Sequence, residues 1–328
     1  MRASFIAFSM VLLLPLTVSA QMLPGLGDTT SSFTVSVAPQ YPAPQGTATL
    51  SFLSSSLDLT NATLTVSVGG KSIYQGSVRP VAVTLGRAGT ITAVVATMKI
   101  AGATYNQSLS IQPEDVSLIA EPIASVPPLY PGKPSVPLEG SVRVVAMANL
   151  KNASGVSLAP ASLSYAWTVD GAFIANSSGI GKSAIIVASP LQYRGRSVSV
   201  TVMSPDGSLV GGAAISLSAL EPSVRIYEND ALLGIRFDRA LFGEYTIPAE
   251  ATLYGAAFSL PLVGGAPLIR WLLNGDAAQT GPSITLRPTG SGQGSATLSL
   301  TASAGSSASA AMDLPLIFGT KSSNFFGL

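Results

Sequence analysis

Apolar and hydroxyl side chains alternate at period two through most of the chain, and this pattern leaves few folds open. Phe33-Thr34-Val35-Ser36-Val37, Ala62-Thr63-Leu64-Thr65-Val66-Ser67-Val68, Ser197-Val198-Ser199-Val200-Thr201-Val202 and Ala296-Thr297-Leu298-Ser299-Leu300-Thr301 all show it. Such alternation turns one face of a strand to a core and the other to water. A helix needs apolar positions three and four apart, and almost no stretch supplies them. Gly, Pro, Asn and Asp interrupt the runs about every 8–12 residues, the spacing of a sandwich or barrel. Between two runs, Ser204-Pro205-Asp206-Gly207-Ser208 marks a hairpin, because Asp-Gly accepts the positive φ of a tight turn. The expected class is all-β, in tandem sandwiches.

Two residue types are missing altogether: there is no Cys and no His. That excludes disulfides, thiolate nucleophiles, iron–sulfur clusters and Cys/His zinc sites, together with a Ser-His-Asp triad. Lys and Arg total 17 against 16 Asp and Glu, and only 10% of residues are charged. A nucleic-acid partner needs a basic face for its phosphates, so none is expected. Hydrophobic residues make up 47% of the chain, enough to build cores. No Asp-x-Asp-x-Asp-Gly calcium loop occurs, and the expected cofactor complement is none.

The first twenty residues read as an export signal. Arg2 is their only charge, Phe5 to Val18 is an apolar run of about 14 residues, and Val18-Ser19-Ala20 offers small residues for cleavage. The alternative, an uncleaved anchor, needs about 20 apolar residues. Cleavage places Gln21 at the new N-terminus and leaves 16 basic and 16 acidic residues, because Arg2 goes with the signal. No Cys follows the cut, which excludes a lipid-anchored start, and no stable transmembrane span is expected after it. The expected location is exported: extracellular, periplasmic or cell-surface associated. A neutral, charge-poor chain has little electrostatic protection against self-association.

An internal repeat underlies the strands. Ser164-Tyr165-Ala166-Trp167-Thr168-Val169-Asp170-Gly171 matches Leu268-Ile269-Arg270-Trp271-Leu272-Leu273-Asn274-Gly275, with the indoles 104 positions apart. A fainter copy, Leu64-Thr65-Val66-Ser67-Val68-Gly69-Gly70, has Val66 in the Trp position. Val116–Glu121 resembles Val224–Asn229 at the starts of two copies. The organisation expected is a signal peptide at 1–20, a linker at 21–29, modules at 30–112, 113–220 and 221–319, and a tail at 320–328. A Trp among alternating apolar neighbours on a central strand reads as core, so Tyr165, Trp167 and Trp271 are expected inside. Asp170-Gly171 and Asn274-Gly275 are expected to form turns.

This arrangement resembles the PKD-like and bacterial immunoglobulin-like modules of secreted proteins, where a Tyr-x-Trp-x-x-Asp-Gly strand pins the core and its Asp-Gly makes the next turn. Tyr165, Trp167, Asp170 and Gly171 match that pattern, Trp271, Asn274 and Gly275 match in part, and the first module lacks the Trp. Through Val224–Leu241 and Ser204–Val210 the whole chain is also similar to three-module secreted proteins of candidate-phyla bacteria. The resemblance implies spacers, adhesins or accessories of carbohydrate enzymes.

Several segments break the alternation. Val126-Pro127-Pro128-Leu129-Tyr130-Pro131-Gly132-Lys133-Pro134 reads as a stiff edge or linker, or as a polyproline II stretch that docks on aromatics. Ala231–Leu241 reads as the one helical turn, with Arg236 and Arg239 on one face. Around it lie Glu228, Asp230, Asp238 and Glu244, and a glycosidase reading would pair Glu228 or Asp230 with Glu244. Ion-paired loop charges explain the same cluster. Asn61, Asn106, Asn152 and Asn176 head glycosylation sequons, and Phe325 and Phe326 lie in the tail. Ile111-Gln112-Pro113-Glu114 and Leu220-Glu221-Pro222-Ser223 read as short, stiff links. The expected function is non-enzymatic: a semi-rigid rod of three modules at the cell surface, partnered by envelope or appendage proteins or by glycans. The alternatives are a carbohydrate-binding accessory and, more distantly, a glycosidase.

Overall fold

The alternating runs become strands in the computed structural model, which describes residues 33–319 except 153, 248, 290–292 and 306–307. The expected signal peptide, its linker, and the tail with Phe325 and Phe326 lie outside the described residues. By its contacts the chain divides into two compact units. The first holds the opening sandwich without Gln40–Gly46 and Gly86–Thr90; the second holds those two segments and everything from Gln112 onward.

The first sandwich is built from β1 (Thr34–Ala38), β2 (Thr47–Leu53), β3 (Thr63–Val68), β4 (Lys71–Ser77), β5 (Val81–Thr84), β6 (Thr92–Ile100) and β7 (Ala103–Ile111). They pair in the orders β1-β2-β5 and β4-β3-β6-β7, all antiparallel. First, second and fifth strands in one sheet against third, fourth, sixth and seventh in the other is an immunoglobulin-like arrangement. Phe33, Leu50, Leu64, Val66 and Met98 fill the core between the sheets.

The second sandwich repeats the plan. Its strands are β8 (Asp115–Pro122), β9 (Ser141–Asn149), β10 (Ser164–Val169), β11 (Ala172–Phe173), β12 (Gly179–Ile180), β13 (Ala184–Ala188), β14 (Gly195–Met203) and β15 (Val210–Ser218). The orders are β13-β9-β8 and β11-β10-β14-β15, with β12 added to β10. Two 3-10 turns, Pro160–Ser162 and Ala175–Ser177, flank the central strand. The hairpin at Ser204–Ser208 is tied by Asp206, which accepts hydrogen bonds from the Ser204 and Ser208 hydroxyls and the Ser208 amide. These bonds hold its carboxyl down to about 2.

The third sandwich has β16 (Ser223–Asp230), β17 (Gly234–Leu241), β18 (Tyr245–Ile247), β19 (Ala251–Phe258), β20 (Leu268–Leu273), β21 (Asp276–Thr280), β22 (Ser283–Leu286), β23 (Gly294–Ala304) and β24 (Ala308–Phe318). One sheet runs β17-β16-β19-β22, the other β18-β24-β23-β20-β21, and only β18–β24 is parallel among the described pairs. The helical turn expected at Ala231–Leu241 is therefore a correction: the segment turns back as β17 along β16. Ile235 and Phe237 bury one face of it, and that period-two burial outweighs the local helix pattern.

One device recurs at the centre of the second and third sandwiches. Trp167 and Trp271 are both fully buried on β10 and β20. Each indole Nε1 donates, at 2.9 Å, to a carbonyl two residues before a strand of the opposite sheet, Lys182 O ahead of β13 or Gly281 O ahead of β22. Gly255 on β19 leaves room for the second indole: a Cβ there would stand 2.8 Å from Trp271 Cζ2. Tyr165 is buried below Trp167 and donates its hydroxyl to Pro160 O at 3.0 Å.

The turns after these strands repeat just as closely. Asp170 (φ 49°) and Gly171 (φ 82°), like Asn274 (φ 55°) and Gly275 (φ 90°), adopt the left-handed pair of a type I′ turn. Each turn bonds twice to the strand that pairs with the Trp strand, β14 or β23: Asp170 N to Ser197 O and Ser197 N to Asp170 Oδ1, Asn274 N to Thr297 O and Thr297 N to Asn274 Oδ1, all at 2.9 Å. In the first sandwich the same position is Gly69 (φ 56°), which keeps the backbone bond to Ala93 O at 3.0 Å and has no side chain for the other. A Cβ at Gly69 meets nothing within 4 Å. Gly69→Asn should therefore restore the missing bond and stabilise the first sandwich by about 0.5–1.5 kcal/mol. Denaturant unfolding checks this, and a loss of stability would contradict the equivalence of the three turns.

Candidate interaction surface

In the first two sandwiches the segments joining the first strand to the second make contacts of long reach. In the second sandwich this connection is residues 123–140, the Pro-rich stretch. Ala124 bridges to Pro261 of the third sandwich. Ser125 N donates to Leu260 O at 2.7 Å, Ser259 N to Ser125 O at 3.1 Å, and Leu260 N to Ser125 Oγ at 3.1 Å. Leu262 N adds a bond to Ile123 O at 3.3 Å. Ser125 is buried, and its N–H, its carbonyl and its hydroxyl each find a backbone partner. Pro residues cannot donate to a ladder; Pro127 and Pro128 follow the paired residues, and Pro261 enters only as the bridge partner of Ala124.

Farther along, Tyr130 lies edge-on to Phe237 at 5.5 Å and to Phe258 at 5.1 Å between ring centroids. Phe237 meets Tyr227 at 5.2 Å and Tyr254 at 6.1 Å in the same edge-to-face manner. Such pairs add about 0.5–1.5 kcal/mol each beyond the area they bury. The five rings form a second small core on the outer face of the β16–β19 sheet, where a sandwich is ordinarily wet. Burial pushes the Tyr227 and Tyr254 phenols up. The sequence offers β17 as the reason this face is apolar: an inserted strand brings Phe237 over it.

The connection after β1 behaves similarly within the second unit. The Tyr41 ring packs on Gly212 of β15, where a Cβ would sit 2.3 Å from the ring, and its hydroxyl is 3.2 Å from Thr201 Oγ1. The neighbouring Gly211 leaves room for Glu114, whose Cβ would be 2.8 Å from an added Cβ. Glu114 is buried, accepts from Lys151 N at 3.1 Å, and is pushed above the ordinary carboxylate range by that burial. Leu220 is also tied down, donating its N–H to Val136 O at 2.9 Å.

The charged cluster around β17 resolves into structural pairs. Arg236 forks onto Asp238 with both bonds at 3.1 Å. Arg239 lies 3.9 Å from Glu228, which also accepts from Tyr245 Oη at 3.2 Å. Burial, with the Glu228 charge adding to it, pushes the Tyr245 phenol up to about 12. Asp230 caps the hairpin by accepting from Leu232 N and Leu233 N at 2.8 and 2.9 Å. Glu244 is exposed. Glu228 and Asp230 are thus engaged in turn and ion-pair roles rather than facing a shared cleft. Among the described residues no group of three or more Asp or Glu is placed to hold a metal ion. No helix there is long and apolar enough to cross a membrane. The four sequon asparagines are exposed.

No protein-family model and no curated protein matches the chain. Among solved structures it is similar to the central fibronectin-III array of RIM-binding protein, at 8% identity over 88% of this chain and 96% of that one, with a TM-score of 0.30. It is also similar to the three N-terminal domains of the highly immunogenic outer capsid protein of bacteriophage RB49, at 12% identity over 88% and 99%, with a TM-score of 0.23. A third is the Drosophila OTK extracellular domains 3–5, at 10% identity over 90% and 100%, with a TM-score of 0.23.

Tyr130→Ala removes the ring that closes the aromatic cluster. It should cost about 2–4 kcal/mol in the second unit, the range for emptying a large core side chain reduced for its edge position. Thermal unfolding followed by near-ultraviolet circular dichroism measures it. A variant that unfolds like the parent would mean that Tyr130 merely rests on the surface.

Proposed function

We propose that the chain is a non-enzymatic, exported structural or adhesion protein of immunoglobulin-like modules at 30–112, 113–220 and 221–319. The second and third modules act in it as one mechanical body. The observation that carries this is the ladder at Ser125 with the Tyr130 cluster. Two modules that only needed to be tethered would not bury a backbone segment of one on the other. A stiff pair transmits force and holds a binding surface at a fixed place, which is what a spacer or adhesin in an envelope or appendage assembly requires. The chemistry supports it: Glu228 and Asp230, which a glycosidase reading would pair with Glu244, are engaged in ion-pair and turn roles. Both indoles are buried in cores, so neither is presented to a sugar.

The test compares producing cells with and without the gene for surface attachment and envelope integrity, complemented by parent and by Tyr130→Ala chains. Loss of attachment or integrity on deletion, restored fully by the parent and poorly by Tyr130→Ala, is expected. Unchanged cells, combined with glycan hydrolysis by the purified protein, would overturn the reading.

A further inference from the structure

Glycine weakens a strand, so Gly211 and Gly212 inside β15 mark close approaches. Gly212 makes room for the Tyr41 ring, and Gly211 for the stem of Glu114. Glu114 is the one charged side chain among the described residues that is buried, at 5% exposure. A carboxyl is costly to bury, and this one is only half satisfied. Its Oε2 accepts from Lys151 N at 3.1 Å, while Oε1 is buried with no hydrogen-bond partner among the described residues. No described cation pairs with it. β15 brings no titratable residue to the site. β8 brings Asp115, whose carboxylate takes a bond from Asn149 at 3.4 Å. The Tyr41 phenol is engaged with Thr201, and neither the Lys151 ammonium nor the Arg87 guanidinium forms an ion pair there.

The residues around Glu114 hold the Gly86–Thr90 segment, which belongs to the same compact unit. Pro113 O accepts from Gly89 N at 2.9 Å, and Gln112 Nε2 donates to Gly89 O at 3.1 Å. Lys151, whose amide bonds to Glu114, also lies against Gly89: a Cβ there would stand 2.9 Å from Lys151 O. Glu114 thus follows one half of the clamp in sequence and bonds to the other half. We propose that Glu114 is a proton switch, holding this clamp closed as a neutral acid and slackening it as a carboxylate. The acid form keeps the Lys151 bond through Oε2 and carries its proton on Oε1, so no charge is buried. Ionisation places a charge where no partner meets it, and the side chain lowers that cost by turning towards water. Pro113 and Lys151 shift with it, and Gly89 loses its hold. In agreement, burial raises the carboxyl above the ordinary range. The folded chain therefore holds this proton more tightly than the unfolded one. The stabilisation is complete below the unfolded pKa, about 4.3, and is lost as pH rises through the folded one. Asp58, Asp206, Asp230 and Asp238 are held low by hydrogen bonds and act in the opposite sense, losing their contribution in more acid solution. The inference is independent of the adhesive reading above.

Hydrogen exchange at the Gly89 amide of the full chain, corrected for the pH dependence of exchange itself, reads the clamp directly. Between about pH 5 and pH 8 its protection should fall several-fold in the parent. In Glu114→Gln, whose side chain has no charge to gain, it should stay level. Denaturant unfolding at neutral pH should find Glu114→Gln more resistant than the parent. A carbon-13 titration of the parent's own carboxyls adds a readout that needs no folded variant, and the Glu114 midpoint should lie above those of the other glutamates. Protection that stays level in the parent, or that falls equally in Glu114→Gln, would overturn the proposal. So would a Glu114 midpoint at or below the ordinary glutamate range, or a Glu114→Gln chain weaker than the parent at neutral pH, since either would mean that the site holds the carboxylate.

Discussion

The cores of the second and third sandwiches depend on one contact made twice: a buried indole on the central strand whose N–H reaches the carbonyl just ahead of a strand in the opposite sheet, β13 or β22. A sandwich without a disulfide has to fix the spacing and register of its two sheets by packing alone. The indole does this with one side chain, because its ring fills the space between the sheets while its nitrogen bonds to the far one. The surrounding sequence follows from that demand. In the third sandwich Gly255 keeps the facing strand clear, and in both the Asp-Gly or Asn-Gly turn locks the end of the Trp strand to its neighbour, β14 or β23. The first sandwich manages with Val66 and Gly69, giving up both the indole anchor and the side-chain half of the turn lock.

From stable sandwiches, the next level is their connection. A short link with a Pro constrains the backbone but does not fix an orientation by itself. The structure adds fixation from a different place, the connection between first and second strands, which lays Ser125 and Tyr130 on the third sandwich. Because an edge-to-face aromatic cluster is sensitive to ring placement, it holds one arrangement more firmly than aliphatic contact of the same area would. The inserted β17 strand is what makes such a landing site, by bringing Phe237 over an otherwise wet sheet.

Much of the fold was legible in the sequence because period two is unambiguous when Val, Ile, Leu and Thr alternate, and because the Trp–Asp/Asn-Gly repeat is local. The 231–241 segment misled because Arg236 and Arg239 are three apart and the leucines before them suit a helix. What decides the matter is burial of Ile235 and Phe237 by rings on β16 and β19, which no local window contains. The interaction surface was visible only as two competing readings of a Pro-rich stretch. Tyr130 was in view, but its partners Phe237 and Phe258 lie more than one hundred positions away. Glu114 was hidden for a related reason: it reads as part of a short link, and Gly211 of β15, against which it is buried, lies in a different part of the sequence.

The central claim is that an indole on the central strand, β10 or β20, holds each of these two sandwiches together, and the most direct measurement is denaturant unfolding of Trp167 and Trp271 variants. Truncation to Ala should cost about 3–5 kcal/mol in each case. Replacement by Phe, which keeps much of the ring but loses the N–H, should cost about 1–3 kcal/mol, because the ring is smaller and the partly buried bond to Lys182 O or Gly281 O is lost. Phe variants as stable as the parent would show that the hydrogen bond between the sheets is dispensable. Ala variants that unfold like the parent would contradict the account altogether.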